Sequence, residues 1–359
     1  MWMLRRLVYS LLVFWGVATL VFTLFHLMPG DPALVVLGPR AGKTEIDRFH
    51  HKTGLDRSWI KQYAHYMNDL SPLSVHSISD KNHLLYLDPQ VYPKKIILFS
   101  SNLYCCVLKP PCLRSSYISQ KPVSDIILDC WPETACLAFT SMFIATVIGI
   151  GMGMWAAVTA RTKLRNFVFI LIQIFGIGSP SFFIAVLFAW LFGFVLHYYT
   201  GLSPTGSLYE IDDYQGPVLA LKNLLLPVLT LSLRPMSIII QITQASFQEV
   251  MATDYIRTVK ALGFSKSRIW FRYALKNALN PVVSAVSGWL ASLLAGAVFI
   301  ERIFNWKGIG NEVVEALANN DLPVVMGCTL FFAFLFVCIN SMVDVVYRYL
   351  DPRIKTEML

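Results

Sequence analysis

The chain has 359 residues, 55% of them hydrophobic and only 14% Asp, Glu, Lys or Arg, where soluble globular chains carry about 25%. A soluble fold of this length has too little interior to hide so much apolar surface, and the same figures exclude disorder, collagen and coiled coil. The excess of 30 basic over 22 acidic side chains, +8 in all, does not mark a nucleic-acid binder, because the basic residues cluster beside apolar runs and form no basic–aromatic stripe. This is the composition of an integral membrane protein.

A helix crossing a hydrocarbon layer about 30 Å thick needs about 20 apolar residues. Stretches of that kind run over Leu7–Met28, Ala135–Ala160, Phe167–Leu196, Val218–Ile242, Pro281–Ile300 and Pro323–Tyr347, which predicts an all-α polytopic protein with six transmembrane helices. Arg5 and Arg6 before the first stretch raise the question of a cleaved signal peptide. The run is too long for a signal core, and Pro29-Gly30-Asp31-Pro32 is not a small-x-small cleavage site, so an uncleaved N-terminal helix (1–28) is expected. The fourth stretch is interrupted by Lys222, Pro227, Arg234 and Pro235; its helical part is expected from near Leu226 toward Glu249.

Between the first two spans lie 102 residues, 29–130, too many for a bare connection. Thr44 to Leu70 has the polar–apolar mixture of short surface helices. Ser71 to Pro111 carries Pro72, Pro89, Pro93, Pro110 and Pro111 with β-prone patches such as Ile96–Phe99, and reads as a small subdomain. Cys105, Cys106, Cys112 and Cys130 leave a disulfide or a metal site open, although adjacent cysteines without a histidine partner argue against zinc. Basic residues of the short loops set the orientation. Arg161, Lys163 and Arg165 follow the second span, Arg257 to Lys276 follow the fourth, and Arg348, Arg353 and Lys355 follow the sixth. Residues 197–217 hold no Lys or Arg, so both termini are expected in the cytoplasm and 29–130 outside it.

Few motifs suggest covalent chemistry. Gly38-Pro39-Arg40-Ala41-Gly42-Lys43-Thr44 resembles a P-loop but has three residues between its glycines where the motif needs four, so no ATP is expected on this chain. His50 and His51 are adjacent and diverge on a helix, which suits surface positions better than a metal site. Charges inside spans are costly; Arg234 is a candidate for the translocation path, and Asp344 reads as a paired or snorkelling group. Gly149, Gly151 and Gly153 suit close helix packing.

Segment 245–280 is the most informative. Tyr255, Ile256, Val259 and Leu262 share one helical face, with Arg257 and Lys260 opposite. Gly263 supplies a helix stop, and Ser265 is placed to cap a second helix running to Asn280 and Pro281. The result is a helix–turn–helix elbow, read either as an amphipathic hairpin lying on lipid or as a docking element for another protein.

At this elbow, Thr253-Asp254-Tyr255-Ile256-Arg257-Thr258-Val259-Lys260-Ala261-Leu262-Gly263 resembles the coupling segment of permease subunits of peptide-type ATP-binding-cassette importers, the dipeptide and oligopeptide permease B family. The likeness extends over most of the chain: Arg5-Arg6, Met28-Pro29-Gly30-Asp31-Pro32, Thr53-Gly54-Leu55-Asp56, Gln62-Tyr63, Leu226-Pro227-Val228-Leu229-Thr230-Leu231, Ala297 to Phe304, Trp306-Lys307-Gly308-Ile309-Gly310 and Asp351-Pro352-Arg353. The resemblance implies that Asp254, Tyr255, Arg257, Thr258, Ala261 and Gly263 contact an ATPase subunit. It implies a second permease, two cytoplasmic ATPases that bind the ATP, an external substrate-binding protein, a bacterial inner-membrane location and a di- or oligopeptide substrate. A five-helix core at 131–350 and a cytoplasmic tail at 351–359 complete the expected organisation. The segment near 72–112 has no counterpart in the usual pattern, and Gln241 and Gln244 stand where arginine is common. Nickel and glutathione are substrates of the same family. A self-contained secondary transporter or channel would show inverted repeats or several buried ionisable groups, and an anchored enzyme would draw on the cysteines of 29–130.

Overall fold

The computed structural model describes residues 2–27, 31–38, 40–78, 85–87, 92, 95–101, 103–159, 162–212, 214 and 216–350. Met28-Pro29-Gly30, Pro39, Pro89, Pro93, Arg161, the Asp344 and Arg348 side chains, Asp351-Pro352-Arg353 and the tail 351–359 with Lys355 lie outside the described residues. The chain divides into two compact units: Met1–Asp129 with Glu312–Phe331, and Cys130–Asn311 with Phe332–Leu359.

In the first unit, α1 (Trp2–Leu27) is the N-terminal apolar helix. α2 (Pro32–Leu37) starts where Asp31 Oδ1 accepts the Ala33 N–H at 2.9 Å and Pro32 occupies the first helical position. The same carboxylate meets His50 Nε2 at 2.8 Å, so His50 is committed to a structural contact. α3 (Lys43–Thr53) begins at the P-loop-like segment, whose Gly42 N–H donates to Glu45 Oε2. α4 (Trp59–Leu70) follows, and its Tyr66 and Leu70 join Ala18, Phe22 and Leu330 in the core of this unit.

The insertion is a three-stranded antiparallel sheet of β1 (Leu73–Ser77), β2 (Ile96–Ser100) and β3 (Tyr104–Leu108) in the order β1-β3-β2. Strand geometry sends adjacent residues to opposite faces, so Cys105 is buried while Cys106 is half-buried; both, and Cys112, are free thiols. Among the described residues no cluster of His, Cys, Asp or Glu could hold a metal. Buried Asp69 ties the sheet's exit back to α4: its carboxylate accepts from Tyr92 Oη (2.7 Å) and Arg114 Nε (2.9 Å), and its carbonyl accepts from Lys109 Nζ (2.6 Å).

α5 (Val123–Val158) is followed by α6 (Lys163–Gln173), α7 (Ser181–Phe188) and α8 (His197–Thr200). A hairpin of β4 (Tyr209–Asp212) and β5 (Gly216–Leu219) leads to α9 (Leu225–Met251) and α10 (Asp254–Ala261). The chain continues through α11 (Lys266–Arg268), α12 (Leu275–Gly296), α13 (Val298–Phe304), α14 (Ile309–Ala318) and α15 (Leu322–Leu350). In the second unit α12 lies along α9, and a core of residues such as Leu137, Ile239, Ile240, Ile300 and Trp306 surrounds that contact.

One expectation needs correction. The protein is mostly helical but not all-α, because β-branched and aromatic runs such as Ile96–Phe99 find strand partners, and Val218 belongs to β5 and not to a span. The apolar stretches expected to span the membrane are helical in different degrees. Among the described residues three helical segments are long and apolar enough to cross a membrane, Val123–Val158, Leu221–Met251 and Leu322–Val343. Two bent pairs would raise the number to five, each counted as one span, and α1 contributes a shorter apolar segment, Val8–Leu24. The third predicted stretch is interrupted at Ser179-Pro180, where the chain bends by 115°. A residue preceding proline is pushed out of the helical region, and Ser179 sits at φ −113°, ψ 144°. The fifth bends by 56° between Leu294 and Val298.

The glycines of α5 divide by role. A Cβ on Gly149 would stand 2.7 Å from Ile239 Cγ2, and one on Gly153 would stand 2.8 Å from the Ile240 carbonyl, whereas Gly151 faces open space. Gly149 and Gly153, four residues apart, therefore let α5 meet α9 closely. Gly153→Leu should destabilise the protein by about 1–3 kcal/mol through overpacking, read as a lower thermal midpoint in detergent, while Gly151→Ala should leave the midpoint unchanged.

Candidate docking elbow and the buried Glu301 carboxyl

The elbow forms for local reasons. Thr253 precedes α10 in extended geometry (φ −69°, ψ 153°), and its hydroxyl donates to the Val250 carbonyl at 2.6 Å and not to the new helix. Asp254 occupies the first turn, where the helix dipole favours an anion. The helix stops because Gly263 adopts φ +78°, a left-handed conformation that glycine reaches without strain. Ser265 takes the N-cap position of α11 in extended geometry, but its hydroxyl makes no capping bond, contrary to expectation.

The tip is seated by one face of α10. Ile256 is fully buried against Met154, Phe247, Ile269, Ala274 and Ala278, with Val259 and Phe264 packed around it. Leu262, expected on this face, is 69% exposed, because the chain has already left the helix there. Phe264 lies tilted against Tyr273, with ring centres 5.7 Å apart, and sits under the Arg268 guanidinium at 4.9 Å.

All six residues singled out at the elbow, Asp254, Tyr255, Arg257, Thr258, Ala261 and Gly263, are exposed. Thr258 Oγ1 donates to the Asp254 carbonyl at 3.1 Å. Arg257 Nη1 donates to Asp254 Oδ1 at 3.0 Å, but side-chain exposures of 73% and 93% leave this pair screened and of little energetic weight. Tyr255 has a further duty that the pattern did not reveal. Its hydroxyl donates to the Tyr273 carbonyl (3.3 Å) and accepts from Asn277 Nδ2 (2.8 Å), bracing α10 against the limb that runs into α12. Around the tip, Arg257, Lys260, Lys266, Arg268, Arg272 and Lys276 are exposed, so its potential is positive. Lys260 and Lys266 line a groove of about 620 Å³ together with Met251, Phe264 and Trp270.

Arg165, read from sequence as a topology marker, is buried. Its Nη1 donates to the Ala156 (3.1 Å) and Thr159 (2.8 Å) carbonyls and so caps the end of α5. Arg234 is exposed on α9, one residue before buried Pro235.

The limb from the elbow ends at a second site. Beyond the bend, Glu301 on α13 has no solvent exposure. Its Oε1 accepts from Thr134 Oγ1 at 2.9 Å and its Oε2 from the Asn311 N–H at 3.1 Å. Thr134 Oγ1 in turn accepts the Ile309 N–H at 2.9 Å, and Trp306 Nε1 donates to the Glu133 carbonyl at 3.1 Å. A Cβ on Gly310 would come 2.6 Å from Val298 Cα, and Gly308 likewise has no room for one. The Trp306-Lys307-Gly308-Ile309-Gly310 run is thus shaped by close approach of backbone to this carboxyl group. A charge-bearing residue inside the apolar run Ala297–Phe304 is the sequence signal for Glu301, a signal as strong as that for Arg234 or Asp344.

Comparison with known proteins identifies the pattern. Residues 149–356 match the family described as binding-protein-dependent transport system inner membrane component, and residues 1–78 match its N-terminal module. A dipeptide transport system permease protein, DppB, of Alkalihalophilus pseudofirmus is 31% identical over 370 residues, covering 98% of both chains. A putative peptide transport system permease protein of Brucella abortus is 32% identical over 353 residues, again covering 98% of each. The glutathione transport system permease protein GsiC of Salmonella typhimurium is 30% identical over 99% of this chain and 98% of that one. The MetNI methionine ABC transporter in an inward-facing form shares the fold, with a TM-score of 0.51 at 18% identity, over 64% of this chain and 99% of that one.

Glu301→Ala leaves the Asn311 N–H and the Thr134 hydroxyl without their acceptor in a buried site, and each buried unmet group costs about 1–3 kcal/mol. The variant should show a markedly lower thermal midpoint in detergent. Thr134→Ala, which strands the Ile309 N–H, should show a smaller drop, and wild-type midpoints for both would contradict this account of the turn.

Proposed function

Because the chain belongs to the family of binding-protein-dependent transport system inner membrane components, we propose that it forms, with a second permease, the path by which di- and oligopeptides enter the cell. It is a multi-pass inner-membrane permease subunit of an ATP-binding-cassette importer. In this reading two cytoplasmic ATPase subunits bind and hydrolyse ATP, an external binding protein delivers the substrate, and the chain performs no covalent chemistry. Both termini and the elbow face the cytoplasm, while 29–130, with its sheet near 72–112, faces outward. The path runs beside segments 135–196 and 281–300, with Arg234 as a contributor.

The observation that carries the coupling role is the elbow. Asp254, Arg257, Thr258, Ala261 and Gly263 present an exposed surface, while Ile256 is locked into a core beneath them and Tyr255 braces the tip to Tyr273 and Asn277. A short rigid helix held in this way transmits a displacement and does not absorb it. Closure of the ATPases is then delivered through the π-helical turn Ile269–Ala274 into α12 and on to the bend before α13.

Relatives named for dipeptide and for glutathione transport match almost equally, at 31% and 30% identity. That equality supports a small peptidic substrate and leaves glutathione as the second reading.

In proteoliposomes with both ATPases, the second permease and the binding protein, uptake of a radiolabelled dipeptide should require ATP. Gly263→Leu forces a side chain into the left-handed turn and should lower uptake by about tenfold or more while hydrolysis continues. Normal ATP-coupled uptake in that variant would remove the coupling role, and ion-gradient-driven uptake without ATPases would remove the importer reading.

A further inference from the structure

The first unit contains a cavity of about 80 Å³ that the transport reading does not use. Its polar wall includes His65, Tyr66 and Arg114, and its apolar wall includes Phe22, Met326 and Leu330, carried on the membrane helices α1 and α15. Among the described residues no Asp or Glu lines it.

Two polar atoms are left unmatched there. Tyr66 is only 8% exposed, and among the described residues neither its hydroxyl nor the buried Nδ1 of His65 has a hydrogen-bond partner. Buried hydroxyls and ring nitrogens are nearly always paired in folded proteins, so these atoms mark space meant for a polar group. Burial also holds the His65 pKa down at about 4, so the ring is neutral at pH 7 and adds no charge.

Arg114 supplies the charge. Among the described residues only the Nε of its guanidinium is hydrogen-bonded, to Asp69 Oδ2, and its side chain remains 34% accessible. Both Nη groups are therefore available in the fork geometry that suits a carboxylate or phosphate. Arg114 holds φ +62°, an uncommon conformation for a side-chain-bearing residue, and Val123 N–H on its carbonyl helps to fix it. The Asp69 carboxylate is already shared between Tyr92 and the Arg114 Nε, so it leaves the far side of the guanidinium to another anion.

We propose that this cavity binds the headgroup of an anionic amphiphile, a carboxylate or phosphate on an acyl chain, with Arg114 and Tyr66 holding the head. A zwitterion would leave its ammonium without a carboxylate here. A free inorganic anion would leave Phe22, Met326 and Leu330 facing a hydrated ion. The cavity is roughly half the size of an engineered pocket that holds benzene, about 150 Å³, so the headgroup and first methylenes fit and the remaining chain extends along the helices.

The test uses the purified full-length protein in detergent, with native mass spectrometry and thermal unfolding as readouts. Oleate should bind with one equivalent and raise the midpoint, whereas oleyl alcohol, acetate and inorganic phosphate should not. Tyr66→Phe, which removes only the unpaired hydroxyl, should weaken oleate binding by about tenfold without lowering the midpoint of the unliganded protein. Arg114→Lys, which keeps the charge but loses the fork, should weaken it at least as much. Equal oleate affinity in both variants would overturn the proposal. So would acetate or phosphate binding as well as oleate, which would make this a free-anion site, or oleyl alcohol binding as well, which would make it an apolar groove.

Discussion

When a helix begins inside a protein that must exclude water, the amide groups of its first turn need acceptors from elsewhere in the chain. In the second unit that demand falls on one carboxyl group. Glu301 takes the Asn311 N–H on one oxygen and the Thr134 hydroxyl on the other, and Thr134 passes the arrangement on to the Ile309 N–H. α14 can therefore start close against its neighbours, with Gly308 approaching Thr134 of α5 and Gly310 approaching Val298 of α13. Without this acceptor the turn would hold buried, unmatched donors, each of which costs more than a typical surface contact supplies.

That turn and the elbow stand at the two ends of one piece of structure. From the exposed tip at Thr258, the chain passes through Gly263 and the π-helical turn into α12, along α9, and across the 56° bend to Glu301. Each end is fixed by a different physics: the tip by burial of Ile256 and the Tyr255 brace, the far end by hydrogen bonds to a carboxyl group. A rod anchored in this way suits the proposed transmission of ATPase closure. Its exposed basic side chains give the tip a field that favours an acidic partner surface.

Local chemistry was readable from the residues. The start of α9 near Leu226, the stop at Gly263 and the strand run at Ile96–Phe99 all follow from neighbouring side chains, and each is present. What the residues concealed were local breaks within apolar runs, backbone acceptors, and one partner far along the chain. The third stretch was apolar throughout, so its hydropathy concealed the break that Pro180 imposes on Ser179. Leu262 belonged to the apolar face by spacing, yet the helix ended before it could be buried. Arg165 looked like a loop charge because its acceptors, the Ala156 and Thr159 carbonyls, are backbone atoms that carry no sequence signature. Glu301 and Thr134 lie 167 positions apart, and no local pattern joins them.

The central claim is that the α10 tip is where the ATPase takes hold, and its most direct test is contact. A photoreactive benzoylphenylalanine placed at Thr258 in the assembled transporter, then irradiated in the membrane, reports what the tip touches. Docking at the tip should give a cross-link to an ATPase subunit that changes in yield between nucleotide-free and ATP-bound states. Cross-links to lipid alone, in a complex that still carries its ATPases, would contradict it.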